Sequence, residues 1–288
     1  MKKLNYSKIL ICIEDFIIDV VEHGIETLGF YSELAYLLID FNEIYSDNLF
    51  YQGYLGVFVS LRYDFNVNEL SHKNLVSELK INSFGYYFEL FKSFKFRYIN
   101  SLREFRKSEI INTESLVRRA DSVLSRYSKV LVVRVDLSYL REFHHLNNID
   151  DFKKDLSRLN KLIQNGDTIF KGNVDYAWAI EQGVSKGFHC HLVLFFNGHK
   201  RKNAFNIAKN IGKKWSDITD SEGTYFNCHD PKQIRSYEER GILGIDMIHR
   251  NDPAEIANMR RAICYLTSPE KEDQYLRVKT SKKMRTFG

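Results

Sequence analysis

Two histidines separated by one residue, His189-Cys190-His191, are the side chains here whose type and spacing best suit chemistry. They lie in residues 187–196, GFHCHLVLFF, an apolar run bounded by Gly187 and by Asn197-Gly198, which reads as a buried β-strand. Side chains alternate across a strand. His189 and His191 therefore share one face with Val193 and Phe195, while Phe188, Cys190, Leu192, Leu194 and Phe196 share the other. Two imidazoles on one face can converge on a single cation without bending the backbone. The ordinary alternative is a pair of core or edge histidines satisfied by their neighbours. The preceding run, residues 174–182 (VDYAWAIEQ), reads as a second strand that turns through 183–187 into the histidine strand. In that hairpin Glu181, Ala177 and Ala179 fall on the histidine face, which leaves room for a metal and a substrate beside a third ligand.

The elements that must position these residues follow from periodicity. Residues 130–137, VLVVRVDL, form a strand with Leu131, Val133, Val135 and Leu137 on one face and Arg134 and Asp136 on the other. Asp150-Asp151 can cap a helix carrying Phe152, Leu156, Leu159 and Ile163, which stops at Asn165-Gly166. A helix over 201–217 buries Ala204, Ile207, Ala208, Ile211 and Trp215 and exposes Lys202, Lys209 and Lys213. Residues 241–248, GILGIDMI, read as a fourth strand. Asp252-Pro253-Ala254-Glu255 starts a last helix, with Glu255 reaching back to the cap, a seam of Ile256, Met259, Ile263 and Leu266, and Pro269 as its stop. The order β-α-β-β-α-β is the split βαβ, ferredoxin-like arrangement, in which both crossover helices cover one face of an antiparallel sheet. Fold alone does not assign function.

Residues 1–128 read as a helical N-terminal region of unknown role, and 129–288 as the domain carrying the histidines. Leu10, Ile13, Ile17, Val20 and Val21 recur at helical intervals, 33–42 is a second helix, and 96–128 is a longer one. The aromatics Phe84, Tyr86, Tyr87, Phe88, Phe91 and Phe94, interleaved with Lys92, Lys95 and Arg97, suit a helical core or base stacking; the core is the commoner use. The whole is an α+β chain.

Composition bounds the class. The chain has 288 residues, 44% of them hydrophobic, and only three prolines, which is globular rather than disordered. Cys12, Cys190, Cys228 and Cys264 show no C-x-x-C spacing, so neither a disulfide framework nor a zinc knuckle is indicated, and Cys228-His229 reads as incidental. Glu14, Asp15 and Asp19 interrupt the one apolar run near the start, and no stretch reaches the length of a membrane span. A cytoplasmic protein with no membrane partner is expected. The net charge of +5 leans toward polyanions without deciding anything.

His189-Cys190-His191 resembles the HUH motif of single-strand endonucleases that initiate rolling-circle replication. More closely, four stretches resemble the inovirus-type, YagK/YfjJ C-terminal domain family of replication proteins, found in filamentous phages and integrated prophages. They are LVVRVDLSY (131–139), AWAIEQGVSKGFHCHLVLFFNG (177–198), CYLTSPEKEDQYLRVK (264–279) and SKKMRTFG (281–288). The resemblance implies that His189, His191 and a third ligand, Glu181, hold a divalent cation, Mn2+ or Mg2+. It also implies a tyrosine that attacks a phosphodiester of single-stranded DNA at a replication origin, leaving a 5′-phosphotyrosine and a free 3′-hydroxyl. Host replication proteins are candidate partners, in the host cytoplasm if the chain is phage-encoded. A plasmid relaxase or single-strand transposase would use the same parts, and a nucleic-acid-binding regulator that lost nicking is the alternative from another class.

Tyr265 is the expected nucleophile. Asn258, Arg261 and Tyr265 share a flank of the last helix beside its apolar seam. Tyr275, with Lys279 four residues on, is the competitor among seventeen tyrosines. Family members often carry a lysine three residues after the tyrosine; here Ser268 stands in that place, and Lys271 in the following loop is the substitute. Arg134, Lys202, Lys209, Lys213, Arg261, Lys279, Lys282, Lys283 and Arg285 are the expected DNA contacts. The basic run from 271 to 288, which also includes Arg277, reads as a tail gripping phosphates.

Overall fold

A computed structural model describes residues 5–166, 168–268 and 271–288. Five helices and a two-residue strand come first: α1 (Tyr6–His23), α2 (Phe30–Ile44), β1 (Phe50–Tyr51), α3 (Leu55–Asp64), α4 (His72–Leu79) and α5 (Phe84–Ser93). A long helix α6 (Lys95–Arg126) then leads into β2 (Lys129–Tyr139), α7 (Ile149–Asn165), β3 (Asn173–Gly183), β4 (Gly187–Asn197) and α8 (Ala204–Ile218). The chain ends with β5 (Gly223–Asn227), α9 (Pro231–Glu239), β6 (Asp246–His249), α10 (Pro253–Cys264) and β7 (Val278–Lys279). Among the described residues no helix is long and apolar enough to cross a membrane. The N-terminal region is thus mostly helical and the rest is built on an antiparallel sheet.

The sheet runs β3-β4-β2-β5, with β6 also paired to β2. Here the expected fourth strand is corrected. The edge beside β2 is shared by two short strands: β5 pairs with Val135–Tyr139, and β6, shorter than the run 241–248, pairs with Lys129–Val132. At Arg134, between the two ladders, the backbone N–H donates to His229 Nε2 at 3.0 Å. His229 therefore closes a gap that would leave a buried donor unpaired. Burial, with Arg134 adding to it, drops this imidazole to about 4, so it stays neutral and accepting. Gly212 on α8 lets the helix approach β5 closely, since the Tyr225 ring lies 2.2 Å from where a Cβ would stand.

The caps differ in detail from expectation. Asn148, not Asp150, caps α7, and Asp151 returns the bond to the Asn148 N–H in a capping box. Asp252 caps α10 as expected, but the Glu255 carboxylate accepts from the His249 N–H instead of reaching back to the cap. α10 stops at Cys264, and a 3-10 turn continues through Tyr265–Thr267. The expected stop at Pro269 lies outside the described residues.

Alternation sorts the sheet into two faces. Leu131, Val133, Val135 and Leu137 join Trp178, Ile180, Cys190, Leu192, Leu194 and Phe196 under α7 and α8, and this core continues into the N-terminal helices. The aromatics of α5 serve that core: Tyr87 and Phe91 are fully buried, and Tyr87 packs against Phe30. On the other face Val130, Val132, Ala177, Ala179, Val193 and Phe195 lie under α6 (Leu116, Ala120, Val123) and α10 (Met259, Ile263). The second face is therefore roofed along much of its length, and only its polar end remains for a site.

The tail is not a free basic arm. β7 pairs with β1, Phe50 opposite Lys279, and residues 286–288 bond to β3 through Ile180 N–H to the Thr286 carbonyl at 2.8 Å and reciprocal bonds between Trp178 and Gly288. Arg277 is buried, donating to Glu14 of α1 at 2.7 Å, and the Tyr275 hydroxyl donates to the same carboxylate. A desolvated pair of this kind is costly to break from one side. Glu14→Ala is expected to lower unfolding free energy by about 3–5 kcal/mol, measured by urea denaturation; a loss below about 1 kcal/mol would mean that the pair is solvated in solution.

Candidate metal centre

The hairpin register brings the donors together. Glu181 faces His189 across β3 and β4, Ala179 faces His191, and Asp136 of β2 faces His191 from the other side. Gly187 starts β4 at φ +64°, a conformation that favours glycine, with the His144 ring 3.2 Å from where a Cβ would project. The Gly187 carbonyl accepts from His189 Nδ1 at 3.1 Å, and a carbonyl only accepts, so the proton sits on Nδ1. His191 Nδ1 lies 2.7 Å from Asp136 Oδ1, which directs its proton the same way. Both Nε2 lone pairs are left facing Glu181 Oε2, at 3.4 Å from His189 and 3.2 Å from His191.

These donors suit a cation. Ligands about 2.1 Å from one ion stand roughly 3.0–3.4 Å apart, and Glu181, His189 and His191 offer ligand atoms all within 4.8 Å of one another. The carboxylate beyond His191 is the outer partner that orients a ligating imidazole. Glu181 divides its oxygens: Oε2 faces the imidazoles, while Oε1 accepts from Lys271 Nζ at 2.8 Å. Burial pushes Glu181 up, but its contacts with His189 and His191 and the charge of Lys271 outweigh it and hold the carboxyl well below its usual range. Asp136 is likewise driven up by burial and drawn down further by His191 and Arg134.

Tyr265 stands over this cluster. Its ring centroid is 5.6 Å from that of His191, Lys271 Nζ lies 3.5 Å from it, and the Arg134 guanidinium lies 4.8 Å from it. The ring is half exposed. The turn is anchored by buried Leu266 and by the Thr113 hydroxyl of α6, which donates to the Thr267 carbonyl at 2.7 Å. Burial raises the phenol above its ordinary range, and Arg134 draws it partly back. Tyr275 is enclosed at 3% exposure with its hydroxyl on Glu14, on the N-terminal side of the tail.

Several expected contacts lie elsewhere. Lys202, Lys209 and Lys213 are exposed around α8, which covers the face opposite the histidines. Arg277 is sequestered with Glu14, so it cannot grip phosphate. Arg261, Lys282, Lys283 and Arg285 are exposed, and Lys279 is half-buried, its ammonium lowered by burial. Glu109 of α6 went unnoticed in the sequence, where it is one acid on a charged helix. It is buried, and with Glu181, Lys279 and Tyr275 it lines a cavity of about 80 Å³ between α6, β3 and the tail.

Burial, against an Asn112 hydrogen bond and with Glu181 adding repulsion, lifts Glu109 from 4.5 to about 7. Since the folded state holds this proton more tightly, the contribution to stability is full below pH 4.5 and is lost as pH rises through about 7. The shift corresponds to about 3 kcal/mol at most. Glu109→Gln should therefore lose less stability than the unmodified chain between pH 5 and pH 8, measured by urea denaturation in chelator. Parallel pH profiles would place this carboxyl in solvent.

No curated protein and no solved structure matches the chain. The YagK/YfjJ C-terminal domain family matches residues 96–288, from the start of α6 through β7 and the final residues. That span takes in every residue of the cluster just described, and the chain belongs to the YagK/YfjJ C-terminal domain family.

Proposed function

We propose that this protein is a metal-dependent single-strand DNA endonuclease and ligase of the HUH type, working as an inovirus-type rolling-circle replication initiator at a replication origin. The observation that carries the reading is the convergence of His189 and His191 Nε2 on one Glu181 oxygen, with Tyr265 above His191. The strand order supports a ferredoxin-like core, with β5 and β6 sharing the place of the fourth strand.

The charges suit an anionic substrate. Glu181 and Asp136 are balanced by Arg134 and Lys271, so a divalent ion would leave positive charge for a phosphodiester to offset. Glu181, His189 and His191 would hold Mn2+ or Mg2+, which when bound neutralises a non-bridging phosphate oxygen. Tyr265 Oη bonds to phosphorus while the bond to the 3′ oxygen breaks. The phenol proton leaves through solvent, and the 3′ oxygen takes one up to become the free hydroxyl. Arg134 and Lys271, on the Tyr265 ring, favour the phenolate that burial alone opposes. Attack of a 3′-hydroxyl on the phosphotyrosine reverses the step and rejoins the strand.

Tyr265→Phe is expected to bind metal and single strands yet form no covalent adduct on a denaturing gel, while Tyr275→Phe, whose hydroxyl serves Glu14, still forms it. An adduct that survives Tyr265→Phe and vanishes with Tyr275→Phe would reverse the assignment. A protein that shifts labelled origin-like strands without breaking them would be the regulator instead. Asp136→Asn should weaken Mn2+ affinity about 10–100-fold through loss of His191 orientation, read by calorimetry; unchanged affinity would remove Asp136 from the site.

A further inference from the structure

The exposed face of α6 carries a stripe that the cluster around Glu181 does not use. Phe96, Ile99, Arg103, Lys107 and Ile110 recur every three or four residues, and all five are exposed, Phe96 at 71%. Between residues 95 and 107 the chain has five lysines and arginines against one acid, Glu104. The adjoining side of the same helix faces the site, with Glu109 in the cavity shared with Glu181 and Thr113, one turn beyond Ile110, holding the turn of Tyr265. At 1.5 Å per residue the stripe extends about 21 Å from the site end of the helix.

We infer that this stripe is the track along which single-stranded DNA reaches Tyr265. The inference rests on the nicking reading above and adds where the strand lies. Bases stack on an exposed ring regardless of sequence, and cations between apolar groups meet the phosphates. A protein partner fits less well, because charged side chains are depleted at the centre of protein interfaces and here they interrupt the apolar positions. The α8 lysines lie under the opposite face.

The test is anisotropy of a fluorescent oligothymidylate titrated with the full chain over a range of salt. Arg103→Ala with Lys107→Ala should lower affinity about tenfold and reduce the slope of log affinity against log salt by about 1.4, for two phosphate contacts. Phe96→Ala should weaken binding about tenfold with the slope kept, since stacking releases no counterions. Lys202→Ala, Lys209→Ala and Lys213→Ala together should leave the slope nearly unchanged. Binding indifferent to the α6 substitutions, or sensitive only to those on α8, overturns the track and leaves the nicking reading standing. A chain that never binds the oligonucleotide overturns both. A Phe96→Ala chain that changes sedimentation but not DNA affinity overturns the track in favour of a protein interface.

Discussion

A carboxylate buried in the face of an apolar sheet must be compensated, and Glu181 is 6% exposed. Its compensation organises the site. Two imidazoles approach one oxygen, an ammonium takes the other, and the imidazole nearest β2 is itself held by Asp136. The partners come from three stretches of chain, β4, β2 and the loop that carries Lys271, so the strand register and the path of that loop must be right at once. Buried polar clusters of this kind are costly when half satisfied, which favours one arrangement over near alternatives.

The rest of the second face explains why the cluster sits where it does. Ala177 and Ala179 are small enough for α6 to lie close on β3, and Leu116, Ala120, Met259 and Ile263 seal that area from water. The polar end of the sheet is what remains. α6 borders it and pins the Tyr265 turn through Thr113, while Arg119 adds a bidentate pair to Asp175 of β3. The helix that leads out of the N-terminal region is therefore a wall of the site, and the family match begins at its first turn. Through Glu14 and Arg277, and through β1 and β7, the ends of the chain close on each other beside β3.

Much of this was legible in the sequence because it depends on local periodicity. Alternation put His189, His191 and Glu181 on one face of the hairpin and Arg134 with Asp136 on one face of β2, and the pairing of β2 with β4 makes these the same face of the sheet. Helical spacing likewise located α1, α6, α7, α8 and α10, and glycine marked the end of α7. Tyr265 was harder. The spacing that put it beside an apolar seam could not say where the chain goes once α10 ends, and that path brings Lys271 back across the tyrosine ring from a loop.

What only the tertiary structure decided turns on partners far away in the chain. Arg277 looks like any cation of a basic tail until Glu14, at the other end of the sequence, takes it out of water. Glu109 looks like one more helical acid until β3 and the tail enclose it. The fourth strand divides because β5 follows α8 at once and β6 arrives later on the same edge, with His229 filling the gap between them. Pattern in a sequence reports which face a side chain takes, since that is set by bonds between neighbours. Burial of a charge is set by what packs over it, and the residues that do so here are up to 263 positions apart.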